Sequence, residues 1–236
     1  MNGRQRTAPP ARALAAATLI PLLLVACTAN ASSQEDTMIQ LPDPVTHGET
    51  PVETALSERR SVREYGAGSL QLREVGQLLW SAQGVTEPTE GPGLRAAPSA
   101  GALYPLELYL LAGDVEGLEP GLYHYSPPRH GLTRVGDADR KEVAAAALGQ
   151  RAIADAPAVV IMAAAYHRTA AKYGDRAPRY VHIEVGAAAE NLYLQAAALG
   201  LGTVFIGAFR DDAVRETLAL PEDLAPLGIM PVGRPQ

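Results

Sequence analysis

The chain has 236 residues, 47% of them hydrophobic and 19% charged, with a formal net charge of −6. These values describe one globular domain of ordinary size with enough apolar surface to build a core. The acidic balance excludes nucleic-acid binding driven by massed Lys and Arg, and a single cysteine, Cys27, excludes an internal disulfide.

At the N-terminus, Arg4, Arg6 and Arg12 precede an apolar run from Ala13 to Ala26. The run is short for a membrane span, which takes about 20 apolar residues, and its layout is that of a secretory signal. It ends in Leu24-Val25-Ala26-Cys27, which resembles the bacterial lipobox, the motif whose cysteine is lipidated and becomes the mature N-terminus. The expectation is an extracytoplasmic, membrane-anchored bacterial lipoprotein that loses residues 1–26 and carries lipid on Cys27. That loss removes three arginines and no acidic residue, taking the formal charge from −6 to −9. Residues 27–50 are polar and rich in turn formers, and read as a tether ahead of a domain over residues 51–236.

Thr50 to Arg60 reads as a short helix with arginines at its end. Apolar residues at 72, 75, 78, 79 and 82 predict a helix over Gln71 to Gln83. A loop rich in Gly and Pro follows over residues 84–105. Leu106 to Gly113 and "GLYHYSP" from Gly121 read as strands, with a turn at Pro120-Gly121. Asp139 to Gly149 reads as an alanine-rich helix, and Ala156 to Ala165 as a central strand buried on both faces. Arg179 to Leu199 reads as a long helix stopped by Gly200 and Gly202. "TVFIGAF" and "LGIMPVG" read as two further strands, with a helix near Asp211 to Leu218 between them. Interleaved strands and helices predict an α/β or α+β sandwich with helices on both faces.

The long helix is apolar nearly all round, so it is expected to be buried. Tyr180, Glu184, Asn191 and Gln195 recur at spacings of 4, 7 and 4 and share one face. Buried polar groups need partners. The stripe reads either as a structural hydrogen-bond network or as a face turned to a ligand or a subunit interface.

Three constellations are candidates for chemistry. Arg59, Arg60, Ser61 and Arg63 gather three guanidinium groups and a hydroxyl within five positions. Guanidinium groups bind phosphate through paired, charge-assisted hydrogen bonds, although arginines at a helix C-terminus also complement its dipole. In the second, Pro98, Ser99, Ala100 and Gly101 offer a stiff loop with little side-chain bulk, which lets a flat ligand approach the main chain. In the third, Lys172 and Tyr173 stand side by side, either as proton-transfer groups or as part of a solvated loop. The histidines at 47, 124, 130, 167 and 182 have no metal-ligand spacing. Neither a nucleotide P-loop, a dinucleotide fingerprint nor a GxSxG elbow occurs.

Taken in order, these segments resemble the FMN-dependent nitroreductase superfamily, and within it the SagB-type, azoline-forming dehydrogenases. The resemblance rests on "LPDP", "ERRSVREY", "QLLWSAQGVT", "RAAPSAGALYPLELY", "GLYHYSP", "LGQ", "AAKYGDR", "RYVHIEVG", "NLYLQAAALGLGTVFIGAF" and "PVGRP", spread over residues 41–236. It implies a homodimer of α+β, three-layer α/β/α sandwiches, each with a central, mostly antiparallel sheet and with FMN at the interface. Arg59 and Ser61 would hold the FMN phosphate, with Arg60 beside the ribityl chain and Arg63 near flavin N1 and O2. A fixed cation there stabilises the charge that reduction leaves at N1. Pro98, Ser99, Ala100 and Gly101 would reach across from the other subunit, Ile206 and Gly207 would lie against the ring near N5, and Arg234 would add a phosphate contact. Lys172 and Tyr173 occupy the place of a pair that assists substrate deprotonation in the azoline-forming branch. One departure is Ala187, where many relatives carry histidine after the helix glycine.

The resulting expectation is an FMN-dependent oxidoreductase, lipid-anchored outside the cytoplasmic membrane, moving hydride through flavin N5 to or from a small molecule, with NAD(P)H as a candidate donor. The alternatives are an azoline dehydrogenase acting on a peptide or small heterocycle, and a flavin-binding lipoprotein without turnover.

Overall fold

The apolar run around residue 160 becomes the centre of a sheet. In the computed structural model, which describes residues 1–3 and 38–236, Ala158–Ala164 is a strand buried at every position. Ala158, Val160, Met162 and Ala164 enter one core, while Val159, Ile161 and Ala163 enter another. A strand that alternates with period two and is apolar on both faces needs a helix layer on each side.

In chain order the sheet comprises β1 (Ile39–Gln40), β2 (Leu106–Ala112), β3 (Gly121–Ser126), β4 (Gly131–Gly136), β5 (Ala158–Ala164), β6 (Gly202–Thr203) and β7 (Ala225–Gly233). Across the sheet they run β1-β4-β3-β2-β5-β7-β6, and each neighbouring pair is antiparallel. Ile161 of β5 sits between Tyr109 of β2 and Ile229 of β7.

The helices are α1 (Val52–Glu58), α2 (Leu72–Gln83), α3 (Arg140–Ala146), α4 (Arg151–Asp155), α5 (Tyr166–Tyr173), α6 (Ala177–Ala198) and α7 (Asp211–Thr217). On one face α2 and α6 bury Val75, Leu78, Leu79, Val185, Ala188 and Leu192 against the sheet. On the other, α3, α4 and α7 bury Val143, Ile153 and Val214. Leu192 is fully buried, and truncation of such a side chain to Ala costs about 2–5 kcal/mol. The expected three-layer sandwich with an antiparallel centre is the fold of this chain.

Several local expectations are corrected. Residues 39–45 belong to the fold rather than to a tether. Ile39 pairs with Leu132, Leu41 is buried, and Val45 exchanges two hydrogen bonds with the Gln77 side chain (2.8 and 3.0 Å). Two apolar residues spaced two apart suffice for a short edge strand, even in a polar stretch. "TVFIGAF" is not a continuous strand. Only Gly202–Thr203 pairs along β7, and Ile206 makes an isolated bridge to Ile229. Between them the Phe205 N–H is drawn to a side chain, Tyr193 Oη, at 2.7 Å. The segment around Lys172 is helical, as α5, and ends at Gly174, whose φ of 53° suits a residue without Cβ. Strand β4 and helix α4 were not foreseen. Residues 4–26 of the signal segment, Cys27 and residues 28–37 of the tether lie outside the described residues.

The polar stripe on α6 is mostly a structural network. Gln195 Oε1 accepts from Gln77 Nε2 (2.9 Å), Asn191 Nδ2 donates to the Ala96 carbonyl (3.2 Å), and Tyr180 Oη accepts from Arg176 Nε (3.1 Å). Glu184 is the exception, and it leads to the site.

Candidate active site

The arginine cluster begins where α1 stops. Arg59 is the C-cap, its N–H donating to the Ala55 carbonyl at 2.9 Å. The chain then runs beside β6: Ser61 bridges Thr203 in parallel, and the Val62 N–H donates to the Thr203 carbonyl at 2.9 Å. Arg60 turns back, Nη1 donating to the carbonyls of Ser57 (2.9 Å) and Arg59 (2.7 Å), so its guanidinium closes the last helical turn. Arg59 is about one-third exposed and has only a loose ion pair, Nε to Glu190 Oε1 at 3.8 Å. Arg60 and Arg63 are exposed and have no ion pair among the described residues. On an acidic chain this leaves a local positive surface weakly neutralised. Its charged donors and hydroxyl suit a phosphate ester.

The same strip of chain is tied to the Phe205–Gly207 segment. Tyr193 Oη lies 2.7 Å from the Phe205 nitrogen and 3.1 Å from Ser61 Oγ, and the Arg59 guanidinium carbon is 5.3 Å from the Tyr193 ring centre. Next in the chain, Ile206 is buried and Gly207 exposed. A Cβ at Gly207 would meet only the Phe205 ring, at 3.5 Å, so the backbone there is open to a flat group. Of the expected binding residues, Arg59, Arg60, Ser61, Arg63, Ile206 and Gly207 therefore share one region. The Arg234 backbone adjoins the end of this segment, its carbonyl accepting from the Gly66 N–H at 2.9 Å, but its side chain is engaged elsewhere: Nη2 lies 3.1 Å from both carboxylate oxygens of Glu74, at the N-terminus of α2.

A second grouping brings the remaining candidates together. Gly101 has a φ of 65°, and a Cβ there would lie 2.9 Å from Tyr173 Oη and 3.0 Å from Lys172 Nζ. The Pro98–Gly101 loop and the Lys172-Tyr173 pair, some 70 positions apart in sequence, thus form one surface. Lys172 is exposed, and its ammonium is 5.5 Å from the centre of the Tyr173 ring. That ring packs edge-on against Tyr180 with centroids 4.8 Å apart. No hydrogen bond or ion pair joins this grouping to the Arg59 region among the described residues.

Behind the loop lies a buried polar cluster that sequence reasoning largely missed. Ser99 Oγ accepts from the Tyr104 N–H at 2.9 Å. Glu184, 2% exposed, stands beside Ser99, and burial pushes its carboxyl up to about 7, against smaller opposing effects of Ser99, Arg95 and Gln83. Arg95 Nη1 donates to Gln83 Oε1 at 2.9 Å, and its guanidinium carbon lies 4.3 Å from the centre of the Tyr104 ring. Glu184 carried a signal, a carboxylate on a buried helix. Arg95 and Gln83 carried none, and Tyr193 lies about half a turn of α6 away from the polar stripe.

The nitroreductase family matches residues 56–234, which span both groupings. The chain belongs to the nitroreductase family. A nitroreductase-named protein of Methanocaldococcus jannaschii is 52% identical over 201 residues, covering 84% of this chain and 98% of that protein. A crystal structure from Ralstonia eutropha, also carrying the nitroreductase name, superposes with a TM-score of 0.72 at 30% identity, covering 84% of this chain and 90% of that one. The microcin B17-processing protein of Escherichia coli is 27% identical over 67% of this chain and 60% of its own length. The family places the chain among flavin-type oxidoreductases.

Proposed function

We propose that this nitroreductase-family chain is an FMN-dependent oxidoreductase that exchanges hydride with a small molecule, as a homodimer lipid-anchored outside the cytoplasmic membrane. The observation that carries the reading is the adjacency of the weakly neutralised Arg59–Arg63 strip to the open backbone at Gly207. One provides for a phosphate and the other for a planar ring. When bound, FMN supplies the two-electron chemistry. The chain's own contribution is to hold the phosphate with Arg59 and Ser61, to set a fixed cation, Arg63, where charge develops on reduction, and to cover the ring with Ile206 and Gly207. Pro98 to Gly101 serve the flavin of the second subunit, and Cys27 carries the lipid.

The test is the visible spectrum of the purified protein before and after anaerobic NADH or NADPH. A yellow protein that bleaches is expected. A colourless protein that cannot be reconstituted with FMN overturns the reading. Fractionation of wild type and Cys27→Ala tests the anchor, which is ruled out if membrane association survives the substitution. Light scattering tests the dimer.

A second reading is favoured by the convergence of Lys172 and Tyr173 on Gly101, together with the likeness to a peptide-processing protein. In it the chain is a SagB-type dehydrogenase of a peptide or small heterocycle, and Lys172 and Tyr173 assist the removal of a substrate proton. A protein that is yellow but inert to both nicotinamides, yet oxidises an azoline substrate, would favour this reading over the first.

A further inference from the structure

Tyr193 has no role in the site as read from sequence, yet it touches three of the elements that build it. Its side chain hangs from α6 and is 9% exposed. The Phe205 N–H, which can only donate, is 2.7 Å from Oη, so Oη accepts there. The phenol hydrogen is then free to point at Ser61 Oγ, 3.1 Å away. With Oγ accepting from Tyr193, the serine's own hydrogen is left to donate outward, from an exposed residue beside the ring that carries Arg59. Hydrogen bonds aligned head to tail polarise one another, and with Tyr193 as donor to Ser61 the chain would run from a backbone amide through Tyr193 to the hydroxyl of Ser61. The ring face meanwhile carries Arg59, whose guanidinium carbon is 5.3 Å from its centre.

We propose that Tyr193 is a positioning residue for the phosphate site: it turns Ser61 into an outward-facing donor and holds the Ser61 and Phe205–Gly207 segments in register. The inference rests on reading this strip as the FMN phosphate site. A tyrosine that merely fills space between α6 and β6 would need neither a backbone N–H on its oxygen nor a serine beyond it. Phe205 lies between positions that face β7, so its N–H points away from that strand, and Tyr193 takes it.

The experiment uses FMN and riboflavin, which differ by the phosphate, titrated onto the intact chain and its variants. Tyr193→Phe keeps the ring beneath Arg59 and removes one oxygen. It is expected to lower the preference for FMN over riboflavin about tenfold, the scale of one hydrogen bond to a charged group. In a Ser61→Ala background the same change is expected to lower that preference less than about threefold, because the partner through which Tyr193 acts is gone. A general loss of folding would weaken both ligands alike, so the ratio separates positioning from packing. An unchanged ratio in Tyr193→Phe, or equal losses with and without Ser61, overturns the inference while leaving the FMN reading intact. A folded wild type that binds neither ligand sinks that reading, and this inference with it.

Discussion

Arg234 is joined to Glu74 by a single guanidinium nitrogen that lies 3.1 Å from both carboxylate oxygens. Glu74 in turn accepts from the Gln71 N–H at 2.8 Å, so the pair pins the chain's last strand to the start of α2. The carboxylate side chain is only 12% exposed. Arg234→Ala leaves it without its cation and is expected to destabilise the cofactor-free protein by about 1–2 kcal/mol, between the values of exposed and buried pairs. Urea denaturation measures this. FMN affinity in the same variant shows whether Arg234 also serves the phosphate: a loss of more than about tenfold would assign it a phosphate contact, made through the guanidinium nitrogens that Glu74 does not hold.

Arg59 and Arg63 are expected to separate binding from chemistry. The phosphate keeps its charge through the reaction, so Arg59→Ala should weaken FMN binding by about 1.5–3 kcal/mol with little effect on potential. In the proposed site Arg63 would face the charge that appears on reduction, so Arg63→Ala should lower the reduction potential and bind oxidised FMN almost as well as wild type. FMN and redox titrations decide. Equal losses of affinity with no change of potential would reduce the arginines to a phosphate clamp.

Glu184 is expected to make stability fall as pH rises. Its folded-state pKa is raised from 4.5 to about 7 by burial. Between those values the folded chain keeps a proton that the unfolded chain has lost. The stabilisation is therefore complete below about pH 4.5 and gone above about pH 7, a difference on the order of 3 kcal/mol. Glu184→Gln cannot titrate, so its advantage over wild type should grow from pH 5 to pH 8. Denaturation of both proteins at the two values checks this, and a constant difference would place the Glu184 pKa near its ordinary value.

Gly101→Ala tests whether the loop positions Lys172 and Tyr173. The new Cβ meets both side chains at 3.0 Å or less, on a backbone with a φ of 65°. A cost of about 1–2 kcal/mol in stability is expected. If the pair acts on substrate, turnover should drop in Gly101→Ala and in Lys172→Met alike, while both variants still bind FMN. Unchanged turnover would leave the pair without a part in the reaction.

What the sequence by itself determined was periodicity. The two-faced strand read at 156–165, the helices read at 71–83 and 179–199 and the arginines at the end of α1 follow from the spacing of apolar and charged residues, and the structure has these elements within two residues of those bounds. The ordered motifs pointed to the family for the same reason, being short and contiguous. The tertiary structure decided every relationship that depends on distant chain meeting. Gly101 beside Lys172, Ser61 beside Tyr193, and Arg95 and Gln83 around Glu184 have no mark in sequence spacing. Side chains from separate elements become neighbours only when the sheet and helix layers close around the core. A distant residue also broke the strand in "TVFIGAF": opposite Val204 in the register stands Pro231, which has no N–H to give and whose carbonyl accepts from the Thr203 and Tyr65 hydroxyls.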